Sequence, residues 1–391
     1  MNKFKQDFWT AFRATQAAVQ QRRQTARAGK GRGWRFWLNV ATFALIIIIL
    51  IAAREHLVAA WHLLGRTNLA ILFLILPLQF ASYYASTEIF FTYLRARGQL
   101  TKTSTLQATG MSLELNFVNH VFPSGGISGA SYMVWRLGKL GVSAGQATMA
   151  QIMRYVIQMG TFMVLMAVAL IWATIENRTA NWVVVAVTIG ITALVFVVIF
   201  GGYLIGSRVR MLSFAKFLTA NINKFVRKIT FAKKPEVMKL AKVEKFFIDF
   251  HEDFMVLRAD KKLLIRPIIW SFIFNITDVS LFLVTFWSLG IPVNPAILLI
   301  AYGVATLSGM FMLTPGGAGA YEALMIGILT ASGVPGGAAL AGVILARALL
   351  ILLTLASGFV VYQHALKKYG QPDLAKPVDF TPNAEIERTK R

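Results

Sequence analysis

Six ionisable residues stand inside long apolar stretches: the acids Glu88, Glu114, Asp278 and Glu322 and the bases Arg154 and Arg347. A charge at the centre of a membrane helix costs about 2.5–3.5 kcal/mol on insertion scales, so such residues persist where they pair or bind something. Glu88 lies six residues from the end of its stretch, roughly 9 Å along a helix and within snorkelling reach of water. Arg347 lies eleven residues beyond Gly336, about 16 Å deep, where only a carboxylate or a ligand phosphate would compensate it. Two arginines facing three or four carboxylates suit either an internal ion-pair network or a zwitterionic ligand. Glu114, Asn116, Asn119 and His120 on one segment, and Asn275 with Asp278 on another, are candidates for a polar path. His120 has no second His or Cys at ligand spacing, so no metal is expected, and no motif calls for a cofactor.

Two Pro/Gly clusters interrupt apolar segments: Pro123, Ser124, Gly125 and Gly126, then Pro315, Gly316, Gly317 and, after Ala318, Gly319. A helix broken within hydrocarbon leaves backbone groups unpaired at several kcal/mol each, so breaks survive only where protein or water covers them. Each break would start a half-helix, from about Ile127 and from about Ala318, whose N-terminal N–H groups and dipole favour a phosphate or carboxylate. The alternative is that the clusters merely kink packed helices.

The elements that must position these residues are membrane spans. Residues of hydrophobic type make up 56% of the 391. They fall in blocks of roughly 20, enough to cross about 30 Å of hydrocarbon. The blocks predict an all-α polytopic membrane protein of about eight segments: Trp34–Ala53, Leu69–Leu94, Ser104–Phe122, Gln146–Ile175, Trp182–Ile205, Leu263–Leu289, Pro295–Leu313 and Gly336–Tyr362. Ile127–Leu140 and Ala318–Ala331 are too short to cross and read as re-entrant half-helices.

The net charge of +23 is concentrated between spans. Nine of the 40 Lys and Arg lie from Lys3 to Arg35, at or before the start of the first span, and 15 lie between Arg208 and Arg266. Six follow Tyr362, and Arg95, Arg97, Lys102, Arg136 and Lys139 sit on short connectors. That distribution marks cytoplasmic faces and speaks against nucleic acid as partner. It places a multi-pass chain in the cell (plasma) membrane with both termini cytoplasmic. The organisation expected is a basic amphipathic N-terminus (1–33), with Phe4, Phe8 and Phe12 on one helical face, then a first membrane half (34–206). A basic amphipathic connector (207–262), a second membrane half (263–363) and a disordered tail (364–391) follow. Zero cysteines exclude disulfides and a Cys nucleophile.

Shifting the chain by 192 residues aligns Pro123 with Pro315, Gly125 with Gly317 and Gly141 with Gly333, and brings Arg154 within one position of Arg347. One extra crossing between the copies inverts the second. The units 69–175 and 263–362 are therefore expected to be inverted-topology repeats, each with a re-entrant pair, the architecture of alternating-access transporters.

The stretch from Pro315 through Gly316, Gly317, Gly319 and Glu322 to Gly333, Val334, Pro335 and Arg347 resembles the flippase-like transmembrane family typified by the membrane half of lysylphosphatidylglycerol synthase. The likeness runs from about Trp34 to Tyr362. The first motif departs from the family pattern, since Met153 and Ile157 flank Arg154 where many members carry acids. The resemblance implies translocation of a lipid between leaflets, an aminoacylated phospholipid or a polyprenyl-linked glycolipid. The aminoacyl-transferase domain of some relatives is not expected in the residues after Tyr362, so the chain is read as no enzyme. Its partners would be membrane lipids and a separate soluble transferase, with a homodimer left open. Rival readings are a secondary transporter of a small anion and an accessory subunit of envelope glycolipid synthesis.

Overall fold

The computed structural model describes residues 58, 61–63, 65, 67–122, 127–176, 181–229, 240–309 and 319–370, all within one compact unit, Arg54–Arg391. The expected first span, Trp34–Ala53, and the residues Pro123, Ser124, Gly125, Gly126, Pro315, Gly316 and Gly317 lie outside the described residues.

The described residues are helical, without strands. In chain order they form α1 (Leu69–Leu72), α2 (Ile75–Ala96), α3 (Thr105–Val121), α4 (Ile127–Gly138), α5 (Ala144–Ile175) and α6 (Asn181–Ile205). There follow α7 (Arg208–Ile229), α8 (Leu240–Ala259), α9 (Lys262–Ser288), α10 (Pro295–Gly309), α11 (Ala320–Ala331) and α12 (Gly336–Tyr369). Five helical stretches are long and apolar enough to cross a membrane: Leu69–Ala96, Ala144–Ile175, Trp182–Ile205, Lys262–Ser288 and Gly336–Tyr369. The chain is an all-α multi-pass membrane protein.

α3 has 17 residues between the caps Ser104 and Phe122, the bounds expected, and covers roughly 25 Å at 1.5 Å per residue, less than a full hydrocarbon core. α10 is described over Pro295–Gly309, and residues 310–313 of its expected span lie outside the described residues. At the other end of the chain, α12 continues to Tyr369, so residues 364–369, assigned above to the tail, are helical. The long basic connector holds α7 and α8, packed on one another through Phe214 and Phe247 at 5.9 Å. The His251 ring binds the carbonyl of Ile205 at the end of α6, at 2.6 Å.

Helix boundaries recur at the spacing that the motifs suggested. α2 ends at Ala96 and α9 at Ser288, 192 positions on; α5 begins at Ala144 and α12 at Gly336, again 192. α4 and α11 start within one residue of that shift. The turns agree as well: Gly98 and Gly290 have φ of 72° and 71°, and Gly141 and Gly333 have 88° and 93°. Those left-handed values admit glycine with little strain and reverse the chain after a helix.

The equivalent helices α2 and α9 pack on each other and run in opposite directions. The Asn68 N–H donates to the Ser288 carbonyl at 2.7 Å, Ser82 meets Asp278, and Tyr84 meets Trp270 at 5.4 Å between ring centroids. Rising residue numbers on one helix thus oppose falling numbers on the other. Further packing is exchanged between copies, α3 lying against α12 and α5 against α10, while α2 with α3, α3 with α4 and α10 with α11 pack within a copy. Small residues permit the close approaches. A Cβ at Gly358 of α12 would sit 2.6 Å from Phe117 Cβ, and one at Gly342 would sit 2.2 Å from the Phe286 ring.

Candidate functional site

Each of the six ionisable residues singled out in the sequence occupies a defined place, and they divide into neutralised pairs and solitary charges. Glu88 accepts from Arg95 at 3.1 Å and from Thr92 at 3.0 Å. Arg95 sits seven residues further along α2, near its end, so this pair belongs to the membrane boundary.

Glu114 on α3 is buried. Its Oε2 accepts from the Tyr132 hydroxyl at 2.9 Å and from Arg136 Nε at 3.1 Å, both on α4. Arg136 was counted above among connector residues, and the structure corrects this: it is only 6% exposed and lies 3.7 Å from the Tyr369 ring centroid. The short helix α4 packs against α3 and the end of α12, carrying the cation inward. A clue was present in the sequence, since Tyr132 and Arg136 share a face at i, i+4 behind a segment containing Glu114.

Glu322 stands in the first turn of α11. Its Oε2 accepts the Gly319 N–H at 2.7 Å, and its Oε1 accepts from Arg347 Nε at 2.9 Å. Arg347 also lies over the Tyr321 ring, 4.3 Å from its centroid. One carboxylate thus satisfies both a helix N-terminus and the arginine of α12. The pairing follows from the motif, because Glu322 opens the helix that precedes the one bearing Arg347.

Asn119 and His120 bond to backbone groups. Asn119 Oδ1 accepts the Gly129 N–H at 2.9 Å, one of the donors that a helix start leaves free. The close fit needs glycine, since a Cβ at position 129 would lie 2.3 Å from that oxygen. His120 Nδ1 donates to the Asn116 carbonyl at 2.8 Å. The N-terminal turns of α4 and α11 therefore already hold an internal acceptor each, Asn119 and Glu322.

Arg154 and Asp278 are the solitary pair. Arg154 on α5 is 6% exposed, its Nη1 donates to Ser86 Oγ at 3.3 Å, and its guanidinium lies 4.6 Å from the Tyr155 ring centroid. Its Nε is buried with no hydrogen-bond partner, and among the described residues no carboxylate reaches it. Asp278 on α9 accepts from Ser82 Oγ at 3.2 Å and from the Tyr302 hydroxyl, and among the described residues no cation reaches it. Ser82 and Ser86 are one turn apart on α2, so a lone cation and a lone carboxylate attach to the same stretch of one helix.

Behind them lies a second layer of buried hydroxyls. Thr161 bonds Ser271 at 2.6 Å and Asn275 at 2.9 Å, joining α5 to α9; Thr354 bonds Tyr83 at 2.8 Å, joining α12 to α2. These are counterparts under the repeat, Tyr83 with Asn275 at 192 and Thr161 with Thr354 at 193, the separation of Arg154 and Arg347. Sequence reading missed the hydroxyls because Ser and Thr are common in membrane helices and carry no signal until a partner helix is placed.

The family model described as the lysylphosphatidylglycerol synthase TM region matches residues 36–358. No curated protein matches the chain.

Proposed function

Because the chain belongs to the lysylphosphatidylglycerol synthase TM region family, we propose that it moves a phosphate-bearing membrane lipid between leaflets, with Arg154 meeting the headgroup. The observation that carries this reading is the buried guanidinium of Arg154 with its unpartnered Nε. A charge held in low dielectric without a counter-charge is costly, and a planar guanidinium recognises phosphate through paired N–H donors. Arg136 and Arg347 are already neutralised by Glu114 and Glu322, so they serve as supports that fix α4 and α11. Asp278 stands ready for a positively charged part of the headgroup.

In this proposal the two quartets α2–α5 and α9–α12 are inverted repeats with re-entrant half-helices, lodged in the plasma membrane with both termini cytoplasmic. The antiparallel pairing of α2 with α9 supports that arrangement. Movement runs downhill or is coupled to an ion, and a separate soluble transferase supplies a modified lipid where one is needed.

The test is reconstitution of the whole chain in liposomes carrying labelled phosphatidylglycerol, its lysyl ester or a polyprenyl phosphate. Leaflet exchange faster than in empty liposomes for at least one of them is expected, and its loss in Arg154→Gln. Equal exchange with and without protein for every headgroup sinks the proposal; uptake of inorganic phosphate instead would favour a small-anion transporter.

A further inference from the structure

An apolar groove of about 190 Å³ lies between α5, α6 and α10. Phe162, Met163 and Met166 line it from α5, Gly190 and Ile191 from α6, and Leu307 from α10. Its volume falls below the roughly 300–1,000 Å³ of sites that enclose a whole ligand. A dry apolar cavity of about 150 Å³ nevertheless holds a six-carbon ring. The groove therefore suits part of a molecule, a segment of hydrocarbon several carbons long.

Two features of the surroundings name the occupant. First, the groove is continuous with the lipid-facing surface. Beyond it on α6, Thr192, Ala193 and residues 195–200 are exposed on every side of the helix, including Phe196 at 68% and Ile199 at 65%. Bilayer chains thus reach the groove from the side. Second, the groove leads toward a charge. Tyr155, Met159, Phe162, Met163 and Met166 occupy i, i+4, i+7, i+8 and i+11, one stripe along α5. The stripe begins at the ring on which the Arg154 guanidinium stacks, and Tyr155 and Phe162 are roughly 10 Å apart along the helix axis. Flexible methionines suit a surface that must accept chains of varied shape.

We propose that this groove seats one acyl or prenyl chain of a membrane lipid while Arg154 holds its phosphate. The inference rests on the lipid-transport reading and specifies where the chain lies as the headgroup crosses. Gly190 is the residue that keeps the groove open: a Cβ built there meets nothing within 4 Å. A longer side chain at that position enters the space without displacing backbone.

The test uses the full chain in lipid nanodiscs with phosphatidylglycerol bearing a photoreactive diazirine at the end of one acyl chain. After illumination, adducts are mapped by peptide mass spectrometry. Adducts concentrated at Met163, Met166 or Leu307 are expected, and Gly190→Leu should reduce them roughly tenfold, the loss of about two methylenes of burial. Gly201→Leu, at another open position of α6, should leave them unchanged. Adducts spread evenly along α6, or unaltered in Gly190→Leu, overturn the proposal. If Gly190→Leu fails to assemble, the wild-type adduct map decides alone. Labelling without leaflet exchange would remove transport and keep the groove; exchange without labelling would remove the groove and keep transport.

Discussion

Arginines with similar burial carry different burdens. Arg136 and Arg154 are each 6% exposed, yet one sits against Glu114 and the other has no carboxylate near it among the described residues. Removing one partner of a buried pair strands the other at a cost of about 3–5 kcal/mol. Arg136→Gln is thus expected to lower the thermal midpoint of the detergent-solubilised protein. Arg154→Gln removes an uncompensated charge and should leave the midpoint unchanged or raised, while abolishing lipid exchange. If the two variants lose stability equally, Arg154 has a structural partner and the headgroup assignment falls. Glu322→Gln should weaken both the Gly319 cap and the Arg347 pair, with partial retention in Glu322→Asp giving a graded loss by the same melt.

At the scale of elements, the five long apolar helices were read from the letters to within two residues, except at the end of α12, because a 20-residue run of Ile, Val, Leu and Phe has no other stable use. α3 falls within its expected bounds, Ser104 and Phe122 being its cap residues, and α10 is described as far as Gly309, the rest of its expected span lying outside the described residues. The same reading misplaced Arg136, because a charge near the end of an apolar run resembles one that reaches out to headgroups. Nothing in a single helix reveals that α4 turns its Arg136 toward α3; the partner helix decides. Contacts between helices depend equally on absent side chains. Gly358→Leu would drive a side chain into Phe117 Cβ and the Leu113 carbonyl, which a Cβ alone would approach to 3.1 Å. An overpacking cost of about 1–3 kcal/mol is expected, read as a lowered melting midpoint. Gly201→Leu, facing open space, should be neutral.

For the molecule as a whole, the repeat of motifs was legible at 192 residues, and the helix boundaries and glycine turns fall on the same spacing. The opposite directions of α2 and α9 were expected from the extra crossing between the copies; what no alignment of letters could tell is that the two helices meet face to face, since contact is a property of pairing in space. The absence of cysteine makes the orientation directly measurable. Lys139 and Ala331 are both exposed and stand 192 positions apart. Lys139→Cys and Ala331→Cys should react with a membrane-impermeant maleimide from opposite sides of sealed vesicles. Reaction from one common side would refute the inversion.

The exchange of partners between the copies also bears on biosynthesis. As the ribosome delivers the chain, α3 and α5 enter the bilayer long before α12 and α10 exist to cover them. The early half must wait in lipid with the surfaces that α12 and α10 later meet still uncovered. Closure therefore comes late, when the last helix threads back beside α3, and a nascent chain arrested before Gly336 should remain an open substrate for quality-control proteases.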